Sequence, residues 1–358
     1  VFSKVFGARK PIIGLDIGAG TIKLVQLDLA ARIPVLTAMG VIAAPSDAMQ
    51  GNIVKDPSRL ARQIRELVSS TRVKCRHVAL AVPASSVFVK AMRVAAVPLE
   101  DLRAQVYLEA AQSIPYDMSS IALDFHVVDK SPDGLLEVLV VAIKREVLSG
   151  YLEAVEQAGL VASVVDVDSF SLQNCFEYNE ASQRASTTAL IDVGARFSAV
   201  NIVGQGRSLC LGDIPVGVHT ALRLISDILG VTSQEAEAIL SDPSALLNEK
   251  SSAARQQALA VLASDIHKHL SLLSSSGEED ISVKNARLSG GGATLHGLQE
   301  HLRVSLGCSV DIMRPFAQVS VPVSFASDYF RSMYPLMGVA LGLSLRCPGD
   351  EIVSALAV

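Results

Sequence analysis

No run in this chain approaches roughly eighteen uncharged apolar residues, although half of it is hydrophobic, so a membrane-spanning helix is not expected. A segment combining a basic start, an apolar block and a small-residue cleavage site is also missing, so no secretory leader is read. The five cysteines (Cys75, Cys175, Cys210, Cys308 and Cys347) are scattered and form no C-x-x-C pair. That pattern argues against a zinc site and a disulfide framework, and it suits a reducing compartment. Dense lysine or arginine blocks are absent too, and with a net charge of −5 nucleic acid is a poor partner. His267 and His269 stand two apart in a helical stretch and share no face, so they make no metal pair. These absences leave a globular protein expected in the cytoplasm. Its 358 residues exceed what one core normally serves, which predicts two lobes.

What the chain does contain is one unusual pattern used twice. Gly14-Leu15-Asp16-Ile17-Gly18-Ala19-Gly20-Thr21-Ile22-Lys23 and Leu190-Ile191-Asp192-Val193-Gly194-Ala195-Arg196-Phe197-Ser198 each carry an apolar strand into an Asp. A small-residue turn follows, then a return strand (Ile22 to Leu27; Ala199 to Val203). Small residues at a turn let backbone N–H groups approach an anion. An Asp beside such a turn suits Mg²⁺, which takes few carboxylates and completes its shell with water and phosphate. Two copies suggest two half-sites closing on one nucleotide. One such hairpin alone is common turn punctuation. A third element strengthens the reading: Arg287-Leu288-Ser289-Gly290-Gly291-Gly292-Ala293-Thr294, a strand entering three glycines and then a helix with Leu298, Leu302 and Leu306. It matches neither a Walker A loop nor a dinucleotide-binding turn.

Hydrophobic periodicity orders the rest. Helices are predicted at 58–71, 98–113, 146–158 (ending at Gly159), 170–178, 216–229, 233–241 (capped by Ser233), 253–275 and 334–345. Strands are predicted at 78–82, 87–94, 121–128, 136–143 and 161–167. Residues 74–163 thus read as a self-contained β, β, α, β, β, α block. The small residues Gly338, Ala340 and Gly342 predict a closely packed helix crossing back to the first lobe, and Gly277-Glu278-Glu279-Asp280 a solvated loop.

The order D-x-G-x-x-x-x-K, D-x-G-A, S-G-G-G-A resembles the actin-like ATPase superfamily, which includes actin, heat-shock chaperones, sugar kinases and FtsA. Gln112-Ser113-Ile114-Pro115-Tyr116-Asp117, Val164-Val165-Asp166-Val167-Asp168-Ser169-Phe170-Ser171-Leu172 and Arg314-Pro315-Phe316 narrow the likeness to the PilM family of type IV pilus assembly, over about residues 11–345. The resemblance implies an α/β, two-lobed actin-like ATPase fold with an FtsA/PilM-type inserted subdomain. It divides the chain into a first-lobe core (9–73, 164–185, 331–345), an insertion (74–163), a second-lobe core (186–215, 286–330) and a helical second-lobe subdomain (216–285).

By that resemblance the cofactors are ATP and Mg²⁺. Asp16 and Asp192 hold Mg²⁺ through water, and the amides of Gly18, Ala19, Gly20 and Thr21 cradle phosphate opposite Gly194 and Ala195. Gly290, Gly291 and Gly292 lie along ribose and α-phosphate, and Glu237 meets the nucleoside. The lysine that usually follows that glutamate is replaced by Leu240. Lys23 either reaches a phosphate or faces solvent from its strand. Asp166 and Asp168, placed on one strand face by alternation, are the candidates for orienting water. Asp168 reads equally well as an N-cap. Arg196 is either a γ-phosphate contact or a solvated turn residue. The implied function is an ATP-binding adaptor with at most slow hydrolysis. It receives the cytoplasmic N-terminal peptide of a PilN-type inner-membrane protein near residues 74–163 and communicates with the pilus assembly and retraction ATPases. The alternatives are an FtsA-like polymer protein and a small-molecule kinase. The tail Glu351–Val358 is short and lacks basic residues, which disfavours an FtsA-type membrane helix. The start, Val1–Phe6, reads as a weak amphipathic turn or a frayed end.

Overall fold

A computed structural model describes residues 11–241, 248–275 and 281–347. The expected loop 277–280, the tail and the first six residues lie outside them. Chain order begins with β1 (Ile13–Ile17), β2 (Thr21–Asp28), β3 (Val35–Ala43), β4 (Met49–Gln50), β5 (Ile53–Val54) and α1 (Pro57–Thr71). Next come β6 (His77–Val82), β7 (Val87–Val94), α2 (Leu99–Ala111), β8 (Ile121–Lys130), β9 (Leu136–Lys144), α3 (Arg145–Gln157), β10 (Val161–Val167) and α4 (Asp168–Asn179). The second half holds β11 (Thr188–Val193), β12 (Ser198–Gly204), β13 (Arg207–Ile214), α5 (Val218–Leu229), α6 (Ser233–Ser241) and α7 (Glu249–Ser274). It closes with β14 (Asn285–Ser289), α8 (Leu298–Leu306), β15 (Ser309–Ile312), α9 (Asp328–Met333) and α10 (Gly338–Ser344).

Local chemistry sets these boundaries. Asp56 accepts a hydrogen bond from the Arg59 amide, and Pro57 fills the first helical position of α1. The face of α1 carrying Leu60, Ile64 and Leu67 is buried. α7 starts earlier than the apolar period implies because Asn248 caps the Ser251 amide. At α6 the cap is Thr232 rather than the expected Ser233. Thr232 Oγ1 accepts from the Glu235 amide and Glu235 accepts from the Thr232 amide, a reciprocal capping box.

Two five-stranded sheets share one plan. The first runs β3-β2-β1-β6-β10, the second β13-β12-β11-β14-β15. In each, a central hairpin has an antiparallel strand on one side and two parallel strands on the other. Both Asp hairpins therefore occupy the same place in their lobes. A smaller sheet, β7-β9-β8, packs with α2 around its own core, which includes Leu102, Val106, Ala110, Val138 and Val140. This inserted unit is narrower than 74–163. β6 sits between β1 and β10 in the first sheet, and α3 packs on α1 through Tyr151, Ala154 and Val155. Only β7 through β9 stand apart, because parallel pairing to distant β1 and β10 claims the flanking strand.

The expected 334–345 helix is a 3₁₀ turn (Tyr334–Met337) followed by α10, which lies against β1 and α4. The approach is close enough that a Cβ on Gly14 would meet the Ala340 carbonyl oxygen at 1.9 Å, and one on Gly342 the Ser171 oxygen at 1.7 Å. Because both obstacles are backbone, neither site tolerates a methyl. Gly342→Ala is expected to destabilise the protein by about 2 kcal/mol or more. Denaturant unfolding reads this directly, and an unchanged midpoint would contradict the packing.

Candidate nucleotide cleft

The two hairpin tips meet between the lobes. A Cβ on Gly20 would lie 2.8 Å from the Ala195 Cβ. Each turn closes on itself, through Gly18 N–H to the Thr21 oxygen (3.1 Å) and Gly194 N–H to the Phe197 oxygen (3.0 Å). The amides of Gly18 and Gly194, expected to cradle phosphate, are thus spent inside their turns. The other small-residue amides at the tips belong to Ala19, Gly20 and Thr21, and to Ala195. The start of α5 hangs on the second turn, since Val218 and His219 donate to the Gly194 and Ala195 carbonyls. Arg196, read as a γ-phosphate contact or a solvated turn residue, is half-buried. It donates to the Met49 and Ser46 carbonyls and ties the second hairpin to the first lobe.

Lys23 resolves toward the site rather than solvent. Its ammonium lies 2.9 Å from Asp16 Oδ2, with both side chains nearly covered (11% and 14% exposed). Burial works against the ammonium, but Asp16, Asp192 and Asp168 outweigh it and raise its pKa. Burial pushes Asp192 up to about 6, with Lys23 opposing and Asp16 adding to the rise. Burial and then Asp213 hold Asp168 well above the usual carboxylate range. Asp213 is raised by burial, against the pull of its bonds to Ser85 and Asn52.

The sequence pattern did not reveal Asp213. It sits at the end of β13, outside either hairpin motif, and only the sheet order carries it to the cleft. Its Oδ2 accepts from the Ser85 amide (3.1 Å) and Asn52 Nδ2 (3.3 Å), and its Oδ1 is buried without a hydrogen-bond partner. Asp166 and Asp168, by contrast, separate. Asp168 begins α4, where its Oδ1 accepts from the amides of Ser169 and Ala84. Asp166 stays on β10 and pairs with Arg346 at 3.5 Å. The strand-to-helix change at residue 168 breaks the alternation that put both on one face.

The three glycines of the third motif have different neighbours. Gly290 (φ +81°) presses on Asp192, where a Cβ would meet Oδ1 at 2.3 Å. Gly292 packs on Val193, and Gly291 faces open space. The Gly290 amide donates to the Pro335 carbonyl. Glu237 is exposed on α6, and Leu240 is fully buried in the second-lobe core, which explains why no lysine stands there. Buried Arg255 donates to the carbonyls of Leu240 and His296, fixing α6 to the loop that follows the glycines.

Three carboxylates, Asp16, Asp168 and Asp192, thus surround one ammonium, and Asp213 adjoins Asp168 and Asp192. Among the described residues no three His, Cys, Asp or Glu side chains converge as direct ligands.

Between pH 4 and 6 the folded protein keeps a proton on Asp192 that the unfolded chain has lost. Stability therefore falls as pH rises through that window, by roughly 3 kcal/mol for a carboxyl raised to about 6. Asp192→Asn removes this component, so the ligand-free variant should unfold at higher denaturant than wild type at pH 7.5 and show a flatter profile from pH 4 to 6. A less stable variant at pH 7.5 would contradict the electrostatics described.

A family model described as type IV pilus assembly protein PilM matches residues 14–348. The chain is similar to a solved PilM-PilN type IV pilus biogenesis complex at 26% identity, with a TM-score of 0.81 over 94% of this chain and 98% of that one. In fold it is similar to ethanolamine utilization protein EutJ from Carboxydothermus hydrogenoformans (16% identity, TM-score 0.57, 94% and 89% covered). It is similar likewise to MreB 5 of Spiroplasma citri bound to AMPPNP (11% identity, TM-score 0.52, 94% and 95% covered). With a matching family model over nearly its whole length and the two-lobed actin-like fold, the chain belongs to the type IV pilus assembly protein PilM family.

Proposed function

We propose that this pilus assembly protein binds Mg·ATP between its hairpins and uses nucleotide state to set its affinity for the N-terminal peptide of a PilN-type inner-membrane protein. The observation that carries the reading is the meeting of Gly20 and Ala195 above Asp16, Asp192 and Lys23. Small residues at both tips admit phosphate oxygens to the Ala19, Gly20, Thr21 and Ala195 amides. Lys23 adds a point charge, Gly291 leaves room along the sugar, and Glu237 stands at the nucleoside end. Asp16 and Asp192 would hold Mg²⁺ through water, and that ion would neutralise phosphate charge.

Turnover is expected to be slow. Asp168, the carboxylate nearest the position that orients water, already accepts from Ala84 and Ser169. Asp166, paired with Arg346, takes no part. Binding and lobe closure are then the useful events. The inserted sheet is the proposed place of peptide docking, in keeping with a PilM-PilN complex as a similar structure. No helix among the described residues is long and apolar enough to cross a membrane. The proposed location is the cytoplasmic side of the inner membrane, reached through PilN and in contact with the assembly and retraction ATPases.

Calorimetric titration of Mg·ATP tests the site. Asp16→Ala and Asp192→Ala should each abolish binding while retaining a cooperative unfolding transition. Wild-type affinity in both variants would overturn the two-hairpin assignment. In the wild type, nucleotide a hundredfold above its dissociation constant should stabilise the fold by about 2.7 kcal/mol. No thermal shift at saturation would leave the cleft without a ligand.

A further inference from the structure

The strand β13 is the edge of the second sheet, and it is tied to the inserted unit at both ends. At its start, Arg207 pairs with Asp129 of β8 and, at 3.3 Å, with Glu137 of β9. At its far end, Asp213 accepts from the Ser85 amide in the turn 84–86, which leads directly into β7. The adjacent amide of that turn, Ala84, donates to Asp168 of the first lobe at 3.1 Å. Asn52 of the first lobe bonds both the Ser85 hydroxyl and Asp213, and its carbonyl is held by the Tyr151 hydroxyl at 2.9 Å. One short turn at the root of the insertion is thus gripped by a carboxylate from each lobe.

We propose that this grip is the link between the nucleotide cleft and the inserted unit, with Asp213 as its positioning residue. The inference rests on nucleotide binding at the hairpins. The Asp213 bonds, at 3.1 and 3.3 Å, cross from the second lobe, so an ångström of lobe separation carries them beyond hydrogen-bonding distance. The Asp168 bond belongs to the first lobe and persists. Lobe opening therefore releases one hand of the clasp and keeps the other, which turns the root of β7 rather than freeing it. The exposed Arg207 pairs add little stability but fix the orientation of the small sheet against β13. Two discrete arrangements, each biased by nucleotide at one side and by whatever the insertion binds at the other, make a coupling element. The residue carries no role in this account beyond holding the turn.

Hydrogen–deuterium exchange on the full chain, with and without Mg·AMPPNP, tests the link. In the ligand-free protein, Asp213→Ala should speed exchange of the Ser85 amide about tenfold, as expected for one lost hydrogen bond, while Asp213→Asn, which keeps an acceptor oxygen, restores it. In wild type, nucleotide should slow exchange over residues 84–94 as well as at the hairpins. In Asp213→Ala the protection of 84–94 should vanish. In Arg207→Ala, hairpin protection should match wild type while that of β7 and β9 weakens. Protection of 84–94 that survives in both alanine variants would overturn the proposal. Absence of hairpin protection in wild type would instead fell the nucleotide reading. The ligand-free Ser85 comparison then decides the clasp alone, and an unchanged rate in Asp213→Ala overturns it.

Discussion

Asp16, Asp168 and Asp192 gather around a single ammonium, Lys23, and Asp213 stands beside Asp168 and Asp192 in the same largely buried cleft. Left to themselves such carboxylates would push the lobes apart or take up protons. Everything around them holds them in place instead. Gly290 brings the third motif's backbone against Asp192, and Pro335 catches the Gly290 amide. α10 lies on β1 with no side chain between, which anchors the strand that delivers Asp16. Arg196 and Asn52 tie across from lobe to lobe. The proposed ligand, a divalent cation carried on a polyphosphate, would relieve this concentration of unfavourable charge.

The shared sheet plan explains why the two hairpins can cooperate. Each lobe presents its Asp from the central strand of the same five-strand order, so facing the lobes brings two equivalent turns tip to tip. The lobes differ in what is added. The first carries the β7–β9 unit with its own core, and the second carries α5 to α7. β13 borders that inserted unit, which puts the second lobe in a position to sense the insertion without contributing to its core.

Local signals made much of this legible in the sequence. The hairpins are visible because an Asp, a small-residue turn and apolar flanks sit within ten residues of one another. The α1 and α2 faces are visible because Leu60, Ile64 and Leu67, or Leu102, Val106 and Ala110, recur at helical spacing and are buried. What escaped depends on contacts distant in the chain. β6 looks like the first strand of the insertion until its parallel partners β1 and β10 claim it. Asp213 carries no motif, and its place follows only from β13 pairing with β12 and from the approach of the 84–86 turn. Asp166 and Asp168 are alike in sequence, and only the start of α4 at Asp168 sends one to Arg346 and the other toward the 84–86 turn. The turn amides of Gly18 and Gly194 show the same limit, since composition marks a turn as open to phosphate but not which of its donors are already taken.

The central claim is that nucleotide in the cleft and a peptide on the inserted unit report on each other. Calorimetric titration of a PilN-type N-terminal peptide into the purified protein, once without nucleotide and once at saturating Mg·ATP, measures this directly. The account predicts saturable one-to-one binding whose dissociation constant differs between the two titrations by roughly fivefold or more, the low end of ordinary coupling energies. Equal affinity in both, or no binding in either, would contradict it.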